Sequence, residues 1–170
     1  MIIKAIRDRK SIRNYIPKAS VSEEQIKELL EAAMLAPSAC NSRPWTFIVV
    51  QKRENIEKIT KIHPYTQMLT TASCAIIVCA DLNLQRGVST GFFPQDCGAA
   101  TQNILLQAAE LGLGTCWCGI YPKEDKVREF QSLFGLLDNI VPFCVIAVGV
   151  PAEEKGGRGF YEEGKVKWIK

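Results

Sequence analysis

Arg9, Ser11 and Arg13 occupy alternate positions in the segment Arg9-Lys10-Ser11-Ile12-Arg13. In extended backbone, side chains alternate between faces, so two guanidiniums and a hydroxyl would point one way and Lys10 and Ile12 the other. A guanidinium is a planar fork of donors suited to phosphate oxygens or a ring carbonyl, and a serine hydroxyl can donate to a third oxygen. The segment is a candidate cradle for a phosphorylated ligand. It also fits the solvated basic end of a surface helix, and spacing alone does not choose between the two. The stretch Pro37-Ser38-Ala39-Cys40-Asn41-Ser42-Arg43-Pro44-Trp45 looks like the second half of the same anion site.

Other chemistries find less support. Seven cysteines, at 40, 74, 79, 97, 116, 118 and 144, form no CxxC pair, and their number is odd; neither a disulfide framework nor a zinc ribbon is indicated. Cys116 and Cys118 make a CxC, but His63 is the chain's one histidine, so no metal site is expected. Cys74, Cys79 and Cys144 sit in apolar runs, where a thiol packs as a small hydrophobe. Gly112-Leu113-Gly114 follows a helical pattern, not a strand, and does not make a Rossmann nicotinamide site. A net charge of +3 with scattered lysines argues for a small anionic ligand and against nucleic acid. No apolar run approaches the roughly 20 residues that span a bilayer, and the N-terminus lacks a signal-peptide core; a cytoplasmic location is expected.

The elements that must position these groups can be read from periodicity. At 170 residues, 47% hydrophobic and 23% charged, the chain is expected to form one domain spanning 1–170. After a short opening helix, Ser22-Glu23-Glu24-Gln25 is a capping box, followed by Ile26, Leu29, Leu30 and Ala33 at helical spacing. This predicts an amphipathic helix over about 23–36 that Pro37 stops. Strands are expected at 46–50, 75–80, 115–120 and 143–150. Residues 96–111 are apolar around most of the helical wheel, which predicts a central helix packed on several sides, closed by Gly112 and Gly114. Pro122 suits the first turn of a further helix, with Val127, Phe130, Leu133 and Phe134 as its apolar stripe. Beyond Pro151 the chain turns polar and Gly-rich, yet carries Phe160, Tyr161, Val166 and Trp168, so residues 151–170 are expected to pack along a neighbouring surface, such as another subunit. Strands alternating with helices indicate an α+β or α/β sheet covered by helices.

A basic R-x-S-x-R segment, a Pro-Ser-x-x-Asn loop running through Pro-Trp into a strand, a long helix ending in Gly-Leu-Gly and a basic tail, in that order, resemble the nitroreductase family over almost the whole chain. The resemblance implies an α+β fold with a central, mainly antiparallel sheet flanked by helices, and a homodimer that binds FMN at two sites between subunits. By position, Arg9 and Ser11 would hold the FMN phosphate and ribityl chain, with Lys10 adding charge or backbone contacts, and Arg13 would reach the pyrimidine edge. Pro37, Ser38, Ala39 and Asn41 of the other subunit would line the ring. Trp117, Cys118 and Gly119 match the strand facing flavin N5, and Arg158, helped by Lys155, matches the tail position that closes on the phosphate.

The implied activity is a ping-pong transfer of two electrons from NADH or NADPH, through flavin N5, to a nitroaromatic, a quinone or a related small-molecule acceptor. No catalytic side chain is required, and His63 is read as structural or surface. Two other readings keep the flavin: reduction by a ferredoxin-like donor or use of flavin as a substrate, and a non-catalytic FMN redox sensor using Cys40 or Cys118. Three departures from the family stand out. Arg43 replaces a common Gln, a charge that could favour an acidic substrate. Cys118 replaces a Glu found near N5 in some members, leaving its backbone N–H to make that contact. The short segment Asn83–Pro94 lacks the helical insertion that covers substrate in larger members, which implies a more open pocket.

Overall fold

The capping box forms in both directions: Gln25 N donates to Ser22 Oγ at 3.2 Å, and Ser22 N donates to Gln25 Oε1 at 3.1 Å. It starts a helix at Glu23–Met34 that buries Ile26, Leu29 and Ala33. In the computed structural model, which describes residues 2–153, 159 and 161–170, the elements in chain order are α1 (Lys4–Asp8), α2 (Glu23–Met34), β1 (Trp45–Val50), α3 (Arg53–Ile62), β2 (Cys74–Asp81), α4 (Phe93–Glu110), β3 (Gly114–Gly119), α5 (Glu124–Phe134) and β4 (Ile140–Gly149).

The strands form one antiparallel sheet in the order β1-β2-β4-β3. Both faces are covered, which is why β2 and β4 read as nearly unbroken apolar runs rather than alternating ones. On one face Ile76, Val78, Cys144, Ile146 and Val148 meet Ile26, Leu29 and Ala33 of α2 and Cys97, Ala100, Ile104 and Ala108 of α4. On the other, Ala75, Ile77, Cys79, Val145 and Ala147 meet Ile56 and Ile59 of α3, Phe130 of α5, and Ile12 and Tyr15 from the segment before α2. Pro142 sits inside β4 at the register shift opposite Val78/Cys79, the bulge at which a strand tolerates proline.

The structure revises three local expectations. α4 begins three residues early, at Phe93, with Pro94 in its first turn. Gly112, at φ +70°, ends that helix, but Gly114 belongs to β3, where a Cβ would stand 2.9 Å from Ile12; its role is close approach, not termination. Pro122 lies in the turn before α5, whose first residue is Glu124. Between β2 and α4 there are only two short 3₁₀ turns, Leu82–Leu84 and Gly87–Ser89. No helix among the described residues is long and apolar enough to cross a membrane.

Candidate functional site

β3 is an edge strand, and the fate of its outer edge defines the site. The N–H and C=O of one residue in an antiparallel strand point to the same side, and successive residues alternate sides. Ile120 N donates to Phe143 O at 2.9 Å, and Ile12 N donates to Thr115 O at 2.9 Å. Cys116, Cys118 and Ile120 therefore turn their backbone groups to β4, and Thr115, Trp117 and Gly119 turn theirs outward.

Residues 11–16 cross this edge as a strap. Ser11 bridges Thr115, and Ile16 N donates to Val150 O at 2.9 Å. The strap is pinned by Tyr15, which is buried against Gly149, where a Cβ would come within 2.8 Å of its ring. The Tyr15 hydroxyl donates to Ile12 O at 2.8 Å, and burial pushes its pKa upward. Glu153 completes the anchorage: its carboxylate accepts from Arg13 N at 2.9 Å, Asn14 N at 3.3 Å and Asn14 Nδ2 at 2.9 Å. The start of the tail thus packs on its own chain, with Ala152 N donating to Asn14 O at 2.9 Å.

At the far end of β3, the turn after α3 closes down. His63 Nε2 lies 2.9 Å from Gly119 O, and Cys118 Sγ donates to Tyr65 O at 3.1 Å. A cavity of about 720 Å³ lies there, lined by Arg13, Asn14, His63, Tyr65, Gln67, Trp117, Cys118 and Gly119, among others. Thr115 O is used by the strap and Gly119 O by His63, so among the described residues the outward backbone groups of Trp117 and the N–H of Gly119 are open to a ligand. The arrangement suits the edge of a flat heterocycle, with the Arg13 guanidinium to balance negative charge.

The basic cluster does not converge on one face. Arg9 and Lys10 line a second cavity of about 680 Å³ with Lys4, Thr115 and Glu153, whereas Arg13 lines the first. The physical reason is the strap: Arg9 precedes its crossing of β3 at Ser11, and Arg13 follows it. Likewise, the N–H of Cys118 is turned to β4, so the outward donors are those of Trp117 and Gly119. The Cys118 thiol faces the apolar layer, and its hydrogen bond with Cys116 together with burial pushes its pKa up. Burial also pushes the Cys79 thiol up to about 12. Cys40 is the exposed cysteine.

The Pro37–Pro44 loop lines neither cavity. Cys40, Asn41 and Arg43 all have φ near +50°, a region costly for residues other than glycine. The conformation is held by Asp96, whose Oδ1 accepts from Ala39 N at 2.9 Å, and by Arg43 N donating to Ser38 Oγ at 2.9 Å. Arg43 Nη2 donates to Met34 O at 3.3 Å, at the end of α2, a use of the charge within the chain. Lys155 and Arg158 lie outside the described residues. Sequence reasoning missed Asn14, Tyr65 and Gln67, and placed His63 outside the site. The fact that it is the sole histidine was a signal, but its partner is 56 positions away.

The nitroreductase family profile matches residues 6–64 and 62–150. The chain belongs to the nitroreductase family. A protein of Methanothermobacter thermautotrophicus provisionally named an NADH dehydrogenase/NAD(P)H nitroreductase is 46% identical over 170 residues, covering 98% of this chain and 87% of that protein. The crystal structure of a provisionally named NADH oxidase from Clostridium acetobutylicum superposes with a TM-score of 0.92 at 42% identity, covering 98% of this chain and 99% of that one. A provisionally named nitroreductase from Desulfovibrio desulfuricans, crystallised in complex with FMN, superposes at 0.82 with 28% identity, covering 98% and 95%. The nitroreductase fold expected from the motif order is the fold observed: an α+β sheet between helices.

Proposed function

We propose that this nitroreductase-family oxidoreductase uses FMN and NAD(P)H, and that its flavin ring is held against the open edge of β3. The observation that carries the reading is the pair of outward-facing residues, Trp117 and Gly119, beside the Arg13 guanidinium in one cavity. The donor set fits FMN: backbone N–H groups for a ring edge, a guanidinium for the side of the ring that gathers negative charge, and Arg9 with Lys10 for a phosphate. When bound, FMN accepts a hydride equivalent from NAD(P)H and passes two electrons to an acceptor. The chain's own contribution is to bind and orient the cofactor and to supply positive charge, without a nucleophile.

A homodimer completes the site in this reading. The Pro37–Asn41 loop, held in its left-handed conformation by Asp96, lies away from its own cavity and would line the ring bound by the partner. Tyr161, Trp168 and Ile169 of the tail are exposed in the single chain and would be covered there. In this reading the order is ping-pong: NADH or NADPH leaves the cavity beside β3 before a nitroaromatic, quinone or related acceptor enters it. The test is an absorbance spectrum of the purified protein, with FMN added, before and after anaerobic NADH and NADPH. A flavin band that bleaches with either donor is expected. A band that persists would point to a protein electron donor or a sensor, and absence of binding would overturn the site.

A further inference from the structure

His63 is buried, yet its imidazole is only half satisfied: Nε2 lies 2.9 Å from Gly119 O, and Nδ1 has no hydrogen-bond partner among the described residues. A carbonyl oxygen can only accept, so Nε2 carries a hydrogen and donates it to Gly119 O. An unpaired buried nitrogen opposes folding, and the bond to Gly119 O is the one hydrogen bond that the ring makes among the described residues.

What that contact controls is the peptide linking Gly119 to Ile120. Its C=O is held by His63, and its N–H, that of Ile120, is held by Phe143 O at 2.9 Å. Glycine is the residue whose backbone would otherwise be freest to rotate, and Gly119 is the last residue of β3. With the following peptide fixed at both ends, the Gly119 N–H stays aimed out of the sheet edge and into the cavity beside Arg13. Phe130 and Tyr65 hold the imidazole itself, edge-on at centroid distances of 6.3 and 6.1 Å.

We propose that His63 is a positioning residue that locks the end of β3, so that the Gly119 N–H is presented to the flavin ring. This rests on the FMN reading above. The test compares wild type with His63→Gln, His63→Asn and His63→Phe, measuring the FMN dissociation constant and the two-electron midpoint potential. Glutamine places an amide nitrogen near the position of Nε2, whereas that of asparagine falls near Nδ1 and stops short of Gly119. Asn and Phe are expected to weaken FMN binding about tenfold and to move the potential by about 30 mV, a tenfold change in the two-electron equilibrium, while Gln stays within about twofold of wild type. Equal behaviour of all three variants would overturn the proposal, since it would leave His63 a packing role at most. Should the Phe variant fail to fold, the Gln and Asn pair decides alone. A wild type that takes no FMN would overturn the flavin reading and this inference with it, whereas a wild type that binds FMN beside an unchanged Asn variant overturns the inference only.

Discussion

Arg13→Ala is expected to lower the two-electron midpoint potential of bound FMN by about 30–60 mV. The figure follows from the roughly 1.5–3 kcal/mol of a charge-assisted contact, at 1.4 kcal/mol per 30 mV. Reduced flavin gathers negative charge on its pyrimidine side, and a guanidinium there stabilises the reduced form more than the oxidised one. Removing it therefore disfavours reduction. The substitution should leave the strap in place, because Glu153 grips the backbone N–H of residue 13, not its side chain, and Tyr15 anchors the strap independently. Dye-equilibration measurements under anaerobic conditions would read the shift. FMN still bound at an unaltered potential would take Arg13 away from the pyrimidine edge.

The second large effect belongs to Phe130→Ala, which should cost about 3–5 kcal/mol of folding stability, the range for removing a fully buried aromatic ring. Phe130 is 0% exposed and joins α5 to the layer of Ile56, Ile59, Ile77 and Val145. Its ring also stands edge-on to His63 and stacks with Phe134 at 6.3 Å, so the loss extends to the far wall of the cavity. Urea denaturation should show a lower midpoint at an unchanged slope, and FMN binding should weaken even where the variant is folded. Phe130→Leu should recover most of the stability. A loss below about 1 kcal/mol would mean that α5 collapses into the gap.

The sequence was most legible where local chemistry and burial agree. The Ser22–Gln25 box and the spacing of Ile26, Leu29 and Ala33 marked α2 because capping and amphipathic period are both local. β2 and β4 were visible as apolar runs because helices cover both faces of the sheet. The site was harder to read. The alternation that grouped Arg9 with Arg13 is a property of an isolated strand and says nothing of the neighbour it crosses, and that crossing at Thr115 separates the two. The parity of β3, which turns Cys118 inward and Gly119 outward, depends on β4, some 25 residues further along. His63 was hidden for the same reason: its hydrogen bond closes a long loop, and no period in the chain records it. The order of motifs indicated the family where spacing alone did not.

The strand order also bears on how the chain is made. β4 lies between β2 and β3 and is the last of the four to be synthesised. Until residue 149 has left the ribosome, β1 and β2 can pair, but the inner edge of β2 stays open and β3 has no neighbour in the sheet. The central contacts of both apolar layers then form together, across long sequence separations, after most of the chain already exists. During translation the exposed edge of β2, with its run of Ile76, Ile77 and Val78, is the surface at which wrong pairing between nascent chains would begin.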